Sequence, residues 1–310
     1  MKILKTLKEK DLVFYDIETA RIFDELPLDS PYFDSWAWKK RKEGVTDNKE
    51  LQKTYAKESG LFPEFSKIVS IVVGRIKGDK LHTKTYDDLS EKVLLEEFNK
   101  DIGLVTAANN KTKLVGFFSS GFDTPFVQKR LIINGIEPHD IFDTFDDKPW
   151  LINDNIDLAI LWKGGSYNRA SLLAISTVLG LPSPKDDVKA YEVGDVYWSE
   201  GAEGLERISL YCGRDVLNTA NIFRKLRFEP ILELYKGVEE KLEKTPLIIS
   251  LNNKGPFGAK QKKELQSILS GLDKGEDSQA VLILEAIAAK KGTKITKEYV
   301  ADLKEEIYNE

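Results

Sequence analysis

Cysteine occurs once in this chain of 310 residues (Cys212), histidine twice (His82 and His139) and methionine once. A lone thiol closes no disulfide within the chain, which fits a reducing compartment. So few Cys and His side chains also exclude the usual zinc sites. A bound metal would have to be held by oxygen, which favours Mg²⁺, Mn²⁺ or Ca²⁺. Long apolar runs are missing as well. The best, Ala280–Ala289, is interrupted by Glu285 and falls short of the roughly 18 residues a membrane helix needs. After the basic stretch Met1–Lys10, the apolar run Leu12–Tyr15 stops at Asp16, so no signal-peptide pattern is present. The expectation is a cytoplasmic protein with no membrane role. Excess positive charge is absent too. The net charge is −5, whereas general nucleic-acid binders are basic.

What is present reads as an α/β chain. Lys10–Tyr15, running into Asp16, predicts a short buried strand. Ile68–Ile76 and Leu81–Tyr86 predict two strands joined by Lys77-Gly78-Asp79-Lys80, a hairpin signal. Glu91–Asn99 has a helical pattern, and Lys113–Phe118 is an apolar run of strand length. Pro125 suits the first turn of a helix ending at Gly135. Ser171 caps a further helix closed by Gly180, and Leu205–Leu226 is apolar at helical spacing. Strands alternating with helices define a mixed sheet covered by helices. The stretch 21–66 stands outside this scheme as an aromatic-rich insertion, and residues 229–310 as a charged helical extension. That extension has helices expected at Gln261–Leu269, Gln279–Lys290 and around Val300, Leu303 and Ile307. The expected division is therefore 1–228 and 229–310.

The acids carry the chemistry. Asp16 and Glu18 fall at the end of the first strand, where alternation puts both on one face and Ile17 on the other. Two neighbouring carboxylates repel, and burying them is costly unless a cation neutralises them. Asp123 follows Ser119-Ser120-Gly121, a flexible turn, at a strand-to-helix junction. Tyr211 and Asp215 lie one turn apart on a helix and share a face. Singly, each has a plain structural reading: a solvated strand end, a helix cap, a chance spacing. Together, four acids and a phenol suggest two-metal phosphoryl transfer, in which two ions about 4 Å apart activate water and stabilise the leaving oxygen.

The ordered segments Phe14-Tyr15-Asp16-Ile17-Glu18-Thr19, Gly121-Phe122-Asp123-Thr124-Pro125 and Tyr211-Cys212-Gly213-Arg214-Asp215-Val216 carry a resemblance. So do Ile156-Asp157-Leu158 and Ser171-Leu172 leading to Leu179-Gly180-Leu181. Over residues 10–228 the chain resembles the DEDD exonucleases of ribonuclease H-like fold. The likeness is to the tyrosine variant (DEDDy) of family B DNA polymerase proofreading domains and their stand-alone relatives. It implies a 3′→5′ exonuclease using two Mg²⁺ or Mn²⁺ ions. Asp16 would bridge both ions, Glu18 and Asp215 would complete the site of the ion holding the attacking water, and Asp123 would support the other. Tyr211 would position the water with help from Glu18. The implied substrate is single-stranded nucleic acid, with DNA favoured over RNA and nucleoside monophosphates as product. Any proofreading partnership with a DNA polymerase or replisome would be in trans. Cations on the acids and a local basic groove reconcile this with the negative net charge.

The histidine variant does not fit, because Leu210 lies five residues before Asp215. Phe118 stands where the family often has Asn, which puts a contact to the 3′-terminal nucleotide in question. Lys39–Lys42 beside Trp36 and Trp38 reads either as a grip on single strands or as a solvated helix face over a local core. Asp157 reads as a cap or loop anchor near the site, Cys212 as a small core residue, and Lys185–Asp187 as surface loop. An exoribonuclease of the same fold and a non-catalytic nucleic-acid-binding scaffold stay open as alternatives.

Overall fold

The computed structural model describes residues 2–144, 155–182 and 188–234. The chain divides into two units, Met1–Leu234 and Tyr235–Glu310. Everything below concerns the first. The helices expected beyond Leu234 and the loop Lys185–Asp187 lie outside the described residues.

Six strands form one sheet: β1 (Leu12–Arg21), β2 (Ser66–Lys77), β3 (Lys80–Tyr86), β4 (Lys113–Gly116), β5 (Asn155–Asp157) and β6 (Glu233–Leu234). Their order is β5-β4-β1-β2-β3-β6. β1, β2 and β3 form an antiparallel meander, while β4 and β5 run parallel to β1 and β6 runs parallel to β3. The β2–β3 hairpin turns at the predicted Gly78 and Asp79. β1 is longer than its apolar run suggests. Its second half pairs with the start of β2, with a register shift between Glu18 and Thr19, so Asp16 and Glu18 sit within the strand and not at its end.

Helices cover both faces, as period-2 alternation on β1 requires. On one face Leu12 and Phe14 pack with Val72, Leu81, Cys212, Val216 and Phe223. The last three lie on α8 (Val193–Leu226), which is interrupted at Gly201. On the other face Val13, Tyr15 and Ile17 pack against α4 (Glu91–Ala108) and α5 (Asp123–Ile133) through Leu95, Phe98, Phe126 and Leu131. Each large side chain removed from water here contributes about 1.5–3 kcal/mol. Three short helices complete the unit: α1 (Lys2–Thr6), α6 (Leu158–Lys163) and α7 (Leu172–Val178). Ser171 caps α7 by accepting the Ala174 N–H. This mixed α/β sheet flanked by helices is the ribonuclease H-like fold.

The insertion between β1 and β2 forms its own small core. Helices α2 (Pro31–Arg41) and α3 (Asn48–Glu58) enclose Trp36, Leu51, Tyr55 and Phe65, numbering for these two helices following their place in the chain. Trp36 is fully buried, and its indole N–H donates to Leu51 O and Thr54 Oγ1. Lys40 is buried between Glu43 and Glu58. For these two residues the plain reading holds, and only Trp38 remains largely exposed.

Candidate active site

The site forms where two strands part. β4 pairs with β1 only across Leu12–Phe14 and ends at Gly116, shorter than the apolar run to Phe118. Past that point one edge of β1 lacks a strand partner among the described residues. The N–H of Ile17 donates there to Asp123 Oδ1 at 3.2 Å. The first turn of α5 thus supplies the acceptor that a longer β4 would have offered, and sets the Asp123 carboxylate beside β1. Asp16 and Glu18 continue the Leu12–Phe14 face toward α8, where the Cys212 thiol donates to Asp16 O at 3.3 Å.

The four acids meet in one place. Burial pushes the Asp16 carboxyl well above the usual range, and the charges of Asp123, Asp215 and Glu18 push it further. Asp123 is lifted by burial to about 7, against the pull of the N–H groups it accepts and with the repulsion of Asp157 and Asp215 added. The Tyr211 hydroxyl donates to Asp215. Burial, then the charges of Glu18, Asp215 and Asp16, hold it protonated far above the ordinary phenol range. Glu18, Asp123, Tyr211 and Asp215 are each under 10% exposed. Such a cluster destabilises the fold while it is unneutralised.

Ligand atoms of Asp16, Glu18 and Cys212 lie within 4.8 Å of one another. The Cys212 thiol is raised by burial and by the same acids, so it stays protonated and is no thiolate ligand. The usable donors are carboxylate oxygens, and that hard, crowded set fits Mg²⁺ or Mn²⁺.

Several residues around the site were not singled out as a group by the sequence. Asp157 caps α6 through the N–H groups of Ala159 and Ile160. It also accepts from Phe118 N (2.9 Å), Ser120 N (3.2 Å) and Ser120 Oγ (2.7 Å). Ser119 Oγ donates to Asn155 Oδ1, Asn155 donates to Thr124 Oγ1, and the Tyr15 hydroxyl bonds Thr124. The Ser119–Gly121 turn is therefore fastened, not flexible. The signal was the acid closing Ile156-Asp157, though its partners lie far away in the chain.

The fold and the site define a ribonuclease H-like protein with a nuclease-type acidic pocket. The model of a family described as predicted 3′–5′ exonucleases related to the exonuclease domain of PolB matches residues 61–244, and the chain belongs to that family. The matched span includes Asp123, Tyr211 and Asp215, while β1 with Asp16 and Glu18 precedes it. Among solved structures, the chain is similar to the family B DNA polymerase from the hyperthermophilic archaeon Pyrobaculum calidifontis. The identity is 14% and the TM-score 0.45, over 70% of this chain and 24% of the polymerase chain. The chain thus spans about a quarter of that polymerase. A search of curated proteins gave no match. No helix among the described residues is long and apolar enough to cross a membrane.

Proposed function

We propose that the chain is a DEDDy-type 3′→5′ exonuclease that hydrolyses single-stranded DNA from its 3′ end and releases nucleoside monophosphates. One observation carries this reading: acids from β1, α5 and α8 share a buried pocket with a tyrosine hydroxyl that bonds Asp215. Asp16, Glu18, Asp123 and Asp215 would hold two Mg²⁺ or Mn²⁺ ions. Bound there, the ions lower the pKa of a coordinated water and stabilise charge on the attacking and leaving oxygens.

The chain's own residues orient the reaction. Tyr211, protonated, donates one hydrogen bond and is placed to hold the attacking water by its oxygen. Glu18 faces the same hydroxyl and accepts a proton from that water. Asp123, fixed through the Ile17 N–H, and Asp16 set the depth at which the scissile phosphate comes to rest. Burial of the cluster excludes bulk water and strengthens each of these contacts. A DNA polymerase acting on the same 3′ end is the partner this activity would serve in trans.

The test is a time course on 5′-labelled single-stranded DNA with Mg²⁺ or Mn²⁺, run beside a matched RNA strand. The native chain should give a ladder shortening from the 3′ end, faster on DNA. Asp16→Ala should lower the rate by at least about 10³-fold, as for loss of a transition-state charge partner. Equal rates in native and variant chains overturn the reading, as does a native chain inert with either ion. A faster RNA ladder keeps the chemistry and changes the substrate.

A further inference from the structure

The loop between β4 and α5 holds a strained aromatic residue. Phe118 has a φ of +65°, a region that bulky side chains seldom adopt. Strain of this kind persists only where the surroundings over-determine it, and it gathers at ligand-contacting positions. Here Asp157 accepts the Phe118 and Ser120 N–H groups, Gly121 N donates to Phe118 O at 3.1 Å, and Thr124 N donates to Ser119 O at 2.9 Å.

The result of this fixing is not burial. Phe118 is 37% exposed. Its ring tip rests so close to Gly121 that a Cβ there would come 3.1 Å from Cζ. The Arg169 guanidinium lies over the ring, 4.7 Å from its centre. Two positions before Arg169, Tyr167 is 99% exposed. A side chain that merely filled space would gain from a relaxed backbone and deeper burial. This one is clamped by a buried acid into a conformation that presents an aromatic surface five residues from Asp123.

We propose that Phe118 and Arg169 receive the 3′-terminal nucleobase, the ring by stacking and the guanidinium by stacking or by meeting backbone phosphate. Every base has a π-face, so such a platform is tolerant of sequence. A cation beside an aromatic ring adds attraction for the strand. Asp157 is then a positioning residue: it sets the ring relative to Asp123 and so decides which phosphate reaches the acids. The inference deepens the exonuclease reading and rests on it.

The experiment compares native, Phe118→Gly, Phe118→Trp and Arg169→Ala chains. The probe is a single strand carrying 2-aminopurine at its 3′ end, bound in Ca²⁺, and cleavage is then followed in Mg²⁺. The native chain should quench the terminal 2-aminopurine and should lose about 10- to 100-fold in kcat/KM when the terminal nucleotide is abasic. Phe118→Gly should abolish the quenching and raise KM by a similar factor, while its Tm stays level or rises by a few degrees because the strain is released. Phe118→Trp should restore binding to within about threefold, and Arg169→Ala should raise KM with a steeper loss at higher salt. Native indifference to an abasic end, or an unchanged KM in Phe118→Gly, overturns the platform and leaves the exonuclease standing. A native chain that neither binds nor cuts removes both. The abasic comparison uses the native chain alone, so it decides the matter even if a variant misfolds.

Discussion

Replacing Asp123 by Asn removes one charge from the acidic pocket and keeps the shape of the side chain. The carboxyl is raised from 3.8 to about 7. Between those values the folded chain binds more protons than the unfolded one, so stability falls as pH rises through that window and the loss is complete above it. At 1.36 kcal/mol per pH unit the cost to the metal-free fold is on the order of 4 kcal/mol above pH 7. Asn keeps an oxygen to accept the Ile17 N–H. Two effects reduce the gain. The native acids share protons and so relieve part of the cost, and a negative charge in the first turn of α5 has a favourable dipole contribution of about 0.5 kcal/mol. A net gain of about 2–3 kcal/mol remains, or roughly 5–10 °C in Tm for a domain of this size.

Thermal melts followed by circular dichroism in a chelator, at pH 8 and pH 5, measure this directly. The variant should melt above the native chain at pH 8 and converge with it at pH 5, where the native carboxyl is protonated. Adding Mg²⁺ at pH 8 should raise the native Tm more than the variant's, because binding to the folded state alone stabilises it. A variant that melts at or below the native chain at pH 8 without metal refutes the claim that burial and mutual repulsion raise this carboxyl.

Three further outcomes follow from other parts of the molecule. Tyr211→Phe should lower kcat by about 10- to 100-fold with KM nearly unchanged, measured on 5′-labelled single strands, since it removes a hydroxyl from the reacting centre and little else. Glu91→Gln should cost about 3–5 kcal/mol in denaturant melts, because it leaves the buried Arg130 guanidinium without its charge partner. Its activity per folded molecule should persist. Gly116→Ala should depress both Tm and activity, since the added Cβ would come 2.3 Å from Ser119 Cβ and must push the loop leading to Asp123.

Local signals in the sequence were reliable where the physics is local. The Gly78 turn, the Ser171 cap and the apolar face of α8 follow from neighbours within a few residues, and the structure places each as expected. The errors share a cause. β1 was read as ending near Asp16 because its second half is polar or weakly apolar, yet Glu18–Arg21 is held by pairing with Ser66–Ser70, more than 40 residues on. β4 was read as reaching Phe118 because the run is apolar, yet Asp157 takes the Phe118 N–H away from any ladder. Helix α8 begins at Val193, earlier than its strong periodicity indicates. In each case a distant partner outweighed local pattern.

The same long-range pairing explains why the acids read as a set before their geometry was visible. Each stands where regular structure gives way or is disturbed: Glu18 at the register shift of β1, Asp123 at the first turn of α5, Asp157 between β5 and α6. Backbone donors left over at such junctions attract carboxylates, and Ile17 N, Phe118 N and Ser120 N are such donors. Two acids, Asp123 and Asp157, are thereby consumed in holding backbone while repelling each other. A purely structural cluster would relax by exchanging one of them for Asn at little cost to these bonds. Retaining the charge at Asp123 makes sense only if something positive enters the pocket, and the metal-free stability of Asp123→Asn measures how strongly it is needed.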